Sequence, residues 1–188
     1  MSQVAATMGM TAGEADYSNE QYAMLANTAK EMGAATKFSA AESAEALNYM
    51  ALAGYDAEKA CGALPTVLNL ASAGGMDLAA ASDMVTDSMS ALGIEATQEN
   101  LTKFGDQLAK TAQKSNTSVS QLGEAVLTVG GTAKTLAGGT TELNTLLGII
   151  ADNGVKGAEG GTALRNIMLS LQAPTDMAAK KMKALGLS

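Results

Sequence analysis

SAAESAEALNYMALAG, residues 39–54, has the pattern of a short helix with a defined start and a defined end. The hydroxyl of Ser39 can accept a hydrogen bond from the amide three residues later, while Glu42 can accept one from the amide of Ser39, an arrangement known as a capping box. Apolar residues then recur at spacings of three and four, and Gly54 closes the pattern. This stretch therefore predicts one amphipathic helix between Ser39 and Gly54.

The same signals recur along the chain and predict eight or nine short helices. Further helix starts are indicated at Asn19, Asp56, Asp77, Thr97, Ser118, Thr141, Thr162 and Pro174. Pro65 interrupts the stretch that follows Asp56, and because proline lacks an amide donor and clashes with the preceding turn, we expect a break near Leu64. Strand signals are nearly absent, so the predicted fold class is an all-α helical bundle.

The composition limits how the core can be built. The chain has 188 residues, which suits one or two small domains, and only 3% of them are aromatic. The core must therefore use small and flexible apolar side chains. Among the twelve methionines, Met84, Met89 and Met168 lie on apolar helix faces, where a core role is favoured over a groove for partner helices. Cys61 is the only cysteine, so no disulfide forms within the chain.

Charge and hydropathy exclude two classes of partner surface. The net charge is −7 and no long run of Lys or Arg occurs, so direct nucleic-acid binding is not expected. The longest apolar stretch, residues 146–151, is far shorter than the ~20 residues that cross a bilayer. The N-terminus lacks the pattern of a secretory signal, which indicates a protein made in a cytoplasm.

A weak internal repeat appears when the chain is shifted by 79 residues, which carries Ser39 onto Ser118. Identical residues then coincide without gaps at Ser39/Ser118, Glu45/Glu124, Ala46/Ala125, Leu64/Leu143, Thr66/Thr145, Leu68/Leu147, Gly75/Gly154, Ala79/Ala158, Met89/Met168 and Leu92/Leu171. Residues 39–92 and 118–171 would then be two copies of one helical unit, joined by the helix near 97–115, with Leu164 and Leu171 on a core face. Chance similarity in an alanine-rich helical chain remains the other explanation.

No arrangement of residues points to catalysis, a metal or a cofactor. The chain has no histidine, which removes Ser-His-Asp sites and His-bearing metal sites. Two acid pairs, Glu42 with Glu45 and Asp83 with Asp87, lie one helical turn apart, a spacing that is common on solvated helix faces. The glycine cluster 157–162 lacks the lysine and the preceding strand of a phosphate loop, so we interpret it as a tight turn with Thr162 as a helix cap.

Three ordered blocks resemble one known family. Residues 34–93, the block LAKTAQKSNTSVSQLGEAV from Leu108 and the block DNGVKGAEGGTALRNIMLSLQAPT from Asp152 are similar, in that order, to the core region of phage tail tape measure proteins. The residues that carry the resemblance are Tyr49, Gly54, Tyr55, Leu64, Pro65, Ser115, Asn116, Thr117, Ser118, Gly161, Thr162, Ala163, Leu164, Arg165 and Asn166.

The resemblance implies a non-enzymatic structural protein of the virion tail, assembled in the host cytoplasm, that acts in tail assembly and sets tail length. It implies contacts with the tail tube protein, tail-tip or baseplate proteins, tail assembly chaperones and other copies of itself. An alternative is a membrane-active module that helps genome delivery through the host envelope, although the acidic chain lacks the basic helix face usual for membrane surfaces.

These observations together predict five regions. They are an N-terminal helical segment (1–33), a first helical unit of the tape measure core (34–93), a connecting helix (94–117), a second helical unit (118–173) and a C-terminal helix (174–188), after which the full-length protein is expected to continue.

Overall fold

The fold is built from helices that pack around one continuous core. The computed structural model describes residues 1–11, 13–15 and 17–186, and these ranges contain helices and no strand. The helices are α1 (Ser2–Thr7), α2 (Glu20–Ala35), α3 (Ala40–Leu52), α4 (Ala57–Gly74), α5 (Leu78–Leu92), α6 (Gln98–Lys114), α7 (Val119–Val129), a 3-10 helix (Gly130–Thr135), α8 (Gly139–Asp152), α9 (Gly157–Gln172) and α10 (Asp176–Ala184). The predicted all-α bundle is confirmed. Ala12, Asp16, Leu187 and Ser188, which belong to the predicted terminal regions, lie outside the described residues.

Most predicted helix starts carry side-chain caps. The first amides of a helix lack partners within the helix, and a side-chain oxygen at the preceding residue can accept their hydrogen bonds. Such caps are present at Asn19, Ser39, Asp56, Asp77, Thr97 and Ser118. These six starts are therefore confirmed.

Two of the caps are complete capping boxes. The Ser39 hydroxyl accepts from the amide of Glu42, and one carboxylate oxygen of Glu42 accepts from the amide and hydroxyl of Ser39 at 2.7 and 2.8 Å. At the second box, Ser118 and Gln121 make the reciprocal pair of bonds, with a neutral amide in place of the carboxylate. The two helices therefore begin with the same geometry but different charge.

The break predicted near Leu64 is wrong, because α4 runs through Pro65 without interruption. Proline removes the hydrogen bond to the carbonyl four residues earlier, that of Cys61. Leu64 and Leu68 are fully buried on the same helix. Burying each such side chain stabilises the fold by about 1.5–3 kcal/mol, which offsets much of the cost of the proline.

Two other predicted starts lie too late in the chain. Helix α8 begins at Gly139 instead of Thr141, and α9 begins at Gly157 instead of Thr162. The cluster 157–162 is therefore the first part of α9, and the Thr162 hydroxyl donates to the carbonyl of Ala158 inside that helix. Low intrinsic helix propensity is overridden here because the glycines are buried against neighbouring segments.

The core is centred on α4, which contacts α2, α3, α5, α6 and α7. Its fully buried leucines pack with Phe104 and Leu108 of α6 in one cluster. Met84, Met89 and Met168 are buried, as predicted for core methionines. The short α1 has no side-chain cap and was not predicted, yet it packs on α3, where the Thr7 hydroxyl donates to Asn48 at 2.7 Å.

We expect the first capping box to weaken in acid. The bonds from the Ser39 amide, and then from its hydroxyl, hold the pKa of Glu42 below its ordinary value of 4.5. A carboxyl group whose pKa is lowered by folding contributes stability above its unfolded pKa and loses that contribution as pH falls through the folded pKa. The contribution is thus complete near neutral pH and is lost in acid.

Glu42→Gln should remove this titration, so the difference in Tm between the wild type and the variant should shrink as pH falls from neutral to well below 4.5. Gln121→Glu is the matched control, because it places a carboxylate in the second box and should make that box acid-sensitive. Thermal melts followed by circular dichroism provide the measurement. A difference that does not change with pH would contradict the assigned role of Glu42.

Candidate interaction surfaces

The acidic side chains do not form a catalytic or metal-binding cluster in the part of the chain that the structure describes. No group of three or more His, Cys, Asp or Glu side chains there could hold a metal ion. Glu42 belongs to a capping box, and Glu45 accepts a hydrogen bond from the hydroxyl of Tyr49. Asp83 and Asp87 are exposed on α5. Both acid pairs thus lie on helix surfaces, as their spacing suggests.

Cys61 lies half-buried on α4 and packs at the edge of the core. Burial raises the pKa of its thiol, although a hydrogen bond with Thr28 of α2 acts in the opposite direction. A raised pKa keeps the thiol neutral and weakly nucleophilic near pH 7. The residue therefore fills space between helices, as predicted.

The first motif group surrounds the end of α3. Gly54 adopts a φ of +87°, which a side chain would disfavour, and the next amide, that of Tyr55, donates to the carbonyl of Met50. Tyr55 is half-buried, and burial, followed by the charge of Asp87, raises the pKa of its hydroxyl. The motif residues Tyr49, Gly54 and Tyr55 thus shape the turn from α3 into α4.

The second motif group, Leu64 and Pro65, lies in the middle of α4. Leu64 points into the core, whereas Pro65 lines a groove of about 380 Å³ between α4 and α6. Thr66, Leu70 and Gly105 also line this groove. The pair therefore contributes to the contact between these two helices.

The third motif group, residues 115–118, connects α6 to α7 and ties both to α8. The amide of Asn116 donates to a carboxylate oxygen of Asp152 at 2.6 Å. The Ser115 side chain lies so close to Gly148 that a β-carbon there would be only 2.6 Å from its hydroxyl oxygen. Thr117 hydrogen-bonds Gln121, and Ser118 caps α7.

The fourth motif group, residues 161–166, forms the middle of α9. Gly161 is buried against α7, and a β-carbon at this position would overlap the carbonyl oxygen of Ala125. Leu164 is buried and Ala163 is half-buried, whereas Arg165 and Asn166 are exposed. This group thus joins a very close helix contact to a small polar surface.

The motif residues do not converge on one pocket. Most of them shape turns or helix contacts, and they lie at four separate places in the fold. Sequence reasoning missed the exposed apolar side chains of α8 and α9, namely Ile149, Ile167, Leu169 and Leu171. Leu171, predicted on a core face, is in fact 56% exposed. The sequence pattern marks the apolar face correctly but cannot say whether another helix covers it.

The model's helices were also compared with the requirements for crossing a bilayer. None of them, within the residues that the structure describes, has both the length and the apolar character that a membrane span needs.

The four motif groups lie where the resemblance in the sequence placed them, on an all-α scaffold. The chain belongs to the phage-related minor tail protein family, whose model matches residues 26–188. It is 35% identical over 188 residues to the tape measure protein of Pneumococcus phage Dp-1, covering 100% of this chain and 16% of that protein. It is 27% identical over 166 residues to the probable tape measure protein of Escherichia phage P2, covering 88% of this chain and 20% of that protein. No solved structure matches.

We expect Gly161→Ala to destabilise the fold, although alanine normally stabilises a helix interior by about 0.5–1 kcal/mol over glycine. The added carbon would overlap backbone atoms of Ala125, which cannot move as a flexible side chain could. Overpacking of this kind typically costs about 1–3 kcal/mol. The measurement is the free energy of unfolding in urea.

Gly131→Ala is the matched control, because a β-carbon at that position would meet nothing within 4 Å. The control should change the free energy of unfolding little. If both variants unfold with the same free energy as the wild type, α7 and α9 do not approach each other as closely as described.

Proposed function

We propose that this chain is a structural segment of a bacteriophage tail tape measure protein, acting in tail assembly and tail-length determination through protein–protein contacts. The observation that carries the proposal is the identity of 35% to a named tape measure protein across the whole chain. The chain spans only 16% of that relative and 20% of the second. Its role is therefore that of one folded segment of a longer tail protein.

The role proposed for the chain is non-enzymatic. The two acid pairs lie on helix surfaces, and Cys61 is a neutral thiol at the edge of the core. An acid–base catalyst needs a positioned group with a pKa matched to its task, within hydrogen-bond reach of a substrate. The described surface is better suited to binding through helix faces.

The proposed partners are the tail tube protein, tail-tip or baseplate proteins, tail assembly chaperones and other copies of the chain. Exposed apolar side chains on α8 and α9 give such partners a surface to bury. The net charge of −7 opposes direct contact with nucleic acid. The proposed location is the virion tail, after assembly in the host cytoplasm.

The compact fold constrains how the segment could measure length. A chain of this size would span ~280 Å as one continuous helix at ~1.5 Å per residue, whereas a compact fold has a radius of gyration near ~16 Å. The close contact of Gly161 with Ala125 and the buried leucines of α4 stabilise the compact form. The segment therefore either rearranges during tail assembly or lies outside the part of the protein that counts length.

An in-frame deletion of residues 98–172 in the phage gene tests the proposal, with tail length measured by electron microscopy. If the segment is extended and counted, tails should shorten by about 110 Å at ~1.5 Å per residue. If it acts as a folded assembly element, tails should be lost. Normal tails of unchanged length would contradict the proposed function.

The control is Gly161→Val in the same gene, which disrupts the contact with Ala125 but leaves the number of residues unchanged. A purely length-counting segment should give tails of normal length with this variant. A folded assembly element should lose tails with the substitution as it does with the deletion.

A further inference from the structure

The helices themselves repeat at the same shift of 79 residues that relates the sequence matches. Shifted by 79, α2 falls on residues 99–114, α3 on 119–131, α4 on 136–153 and α5 on 157–171. These ranges coincide with α6, with α7 and the start of the 3-10 helix, with α8 and with α9. The correspondence includes α2 and α6, so it begins one helix earlier than the sequence matches from Ser39 and Ser118.

Burial follows the same register. Buried residues fall on buried residues at Leu25/Phe104, Ala29/Leu108, Ala46/Ala125, Leu47/Val126, Met50/Val129, Leu64/Leu143, Leu68/Leu147, Val85/Leu164 and Met89/Met168. The two capping boxes, at Ser39 and Ser118, also coincide. Chance similarity in sequence does not account for matching helix bounds, caps and burial together.

The first group of helices, α2–α5, is covered by the second, α6–α9, through close contacts. Helix α6 packs on α4, where a β-carbon on Gly105 would lie 2.7 Å from the methyl of Thr66 and 3.8 Å from Leu70. Helix α7 packs on α5, where Gly123 lies against Met84. The outer face of α4 and α5 is buried by these contacts.

The equivalent face of α8 and α9 is uncovered. Leu70 is 2% exposed but its counterpart Ile149 is 54% exposed, and Leu92 is 6% exposed but its counterpart Leu171 is 56% exposed. Ile167, 51% exposed, replaces the fully buried Ser88. We name Thr145, Ile149, Ile167 and Leu171 the open face.

Helix α10 follows α9 as α6 follows α5. Thr97 caps α6 by accepting from the amide three residues later, and Thr175 caps α10 in the same way. This shift of 78 residues carries Phe104 onto Met182 and Gly105 onto Lys183. Yet α10 has no buried residue in the structure.

The opposite end of the fold is covered. Helix α1 packs on α3 as α5 packs on α7, and it leads into Gly9 at φ +77°, as α5 leads into Gly93 at φ +63°. It therefore corresponds to the final turns of an α5-type helix. The open face thus lies at the C-terminal end of the array.

We propose that the open face is the docking surface for the helix that begins with α10, which is the first helix of a third unit of the same polypeptide. The chain is then a stretch of a helical array in which each group of four helices is covered by the next. Both curated relatives are several times longer than this chain, so further units have room within such proteins. The proposal rests on the register of the helices and not on the proposed function.

Disulfide trapping in the 188-residue chain tests the docking directly. In a Cys61→Ala background, Thr145→Cys is combined with Lys183→Cys, the pair that corresponds to the contact of Thr66 with Gly105. The matched control combines Thr145→Cys with Lys181→Cys, which lies on the opposite side of α10. Docking raises the effective concentration of the facing pair, so its disulfide should form about tenfold faster than that of the control.

A second pair of variants locates the contact. Ile149→Asp alters the open face and should abolish the difference in rate, whereas Leu169→Asp should preserve it, because Leu169 corresponds to the exposed Ser90. Both side chains are exposed, so neither change disturbs the core. Equal rates for the two cysteine pairs, or a rate difference that survives Ile149→Asp, would overturn the proposal, as would its loss in Leu169→Asp.

Discussion

The carbonyl oxygen of Ala125 in α7 occupies the space where residue 161 of α9 would carry a side chain. Three further contacts have the same form, with Gly105 against Thr66, Gly123 against Met84 and Gly148 against Ser115. A core that is 3% aromatic cannot fill wide gaps between helices. The helices must therefore approach closely, and glycine permits this at the cost of helix propensity. The rest of the packing depends on these contacts.

The same constraint explains what the sequence could and could not predict. Helix starts depend on local hydrogen bonds, so the caps at Asn19, Ser39 and Ser118 were readable from residue type and spacing alone. The glycines of the segment 157–162 resemble a turn by local rules, but tertiary contact with α7 places them inside a helix. Pro65 was misread for the same reason, since packing around it outweighs its local preference.

The candidate interaction surface shows a different limit. Leu171 lies on the apolar face that periodicity indicates, and its counterpart Leu92 is buried on that face. What separates the two residues is the presence of a covering helix. Whether a helix lies there is a property of the assembly of units and not of the local sequence, so periodicity could locate the face but not its state.

The packing order of the helices has a mechanical consequence. Each substantial contact between α-helices in the described structure joins helices no more than three places apart along the chain, as in α2 with α3, α4 with α6 or α7 with α9. Such short-range topology favours fast folding. It also means that tension applied at one terminus loads only the outermost helix and its nearest neighbours. The chain has no disulfide to resist such tension, since Cys61 is its only cysteine. A molecule of this kind yields to a pull helix by helix, and it can refold in the same order when the load is removed.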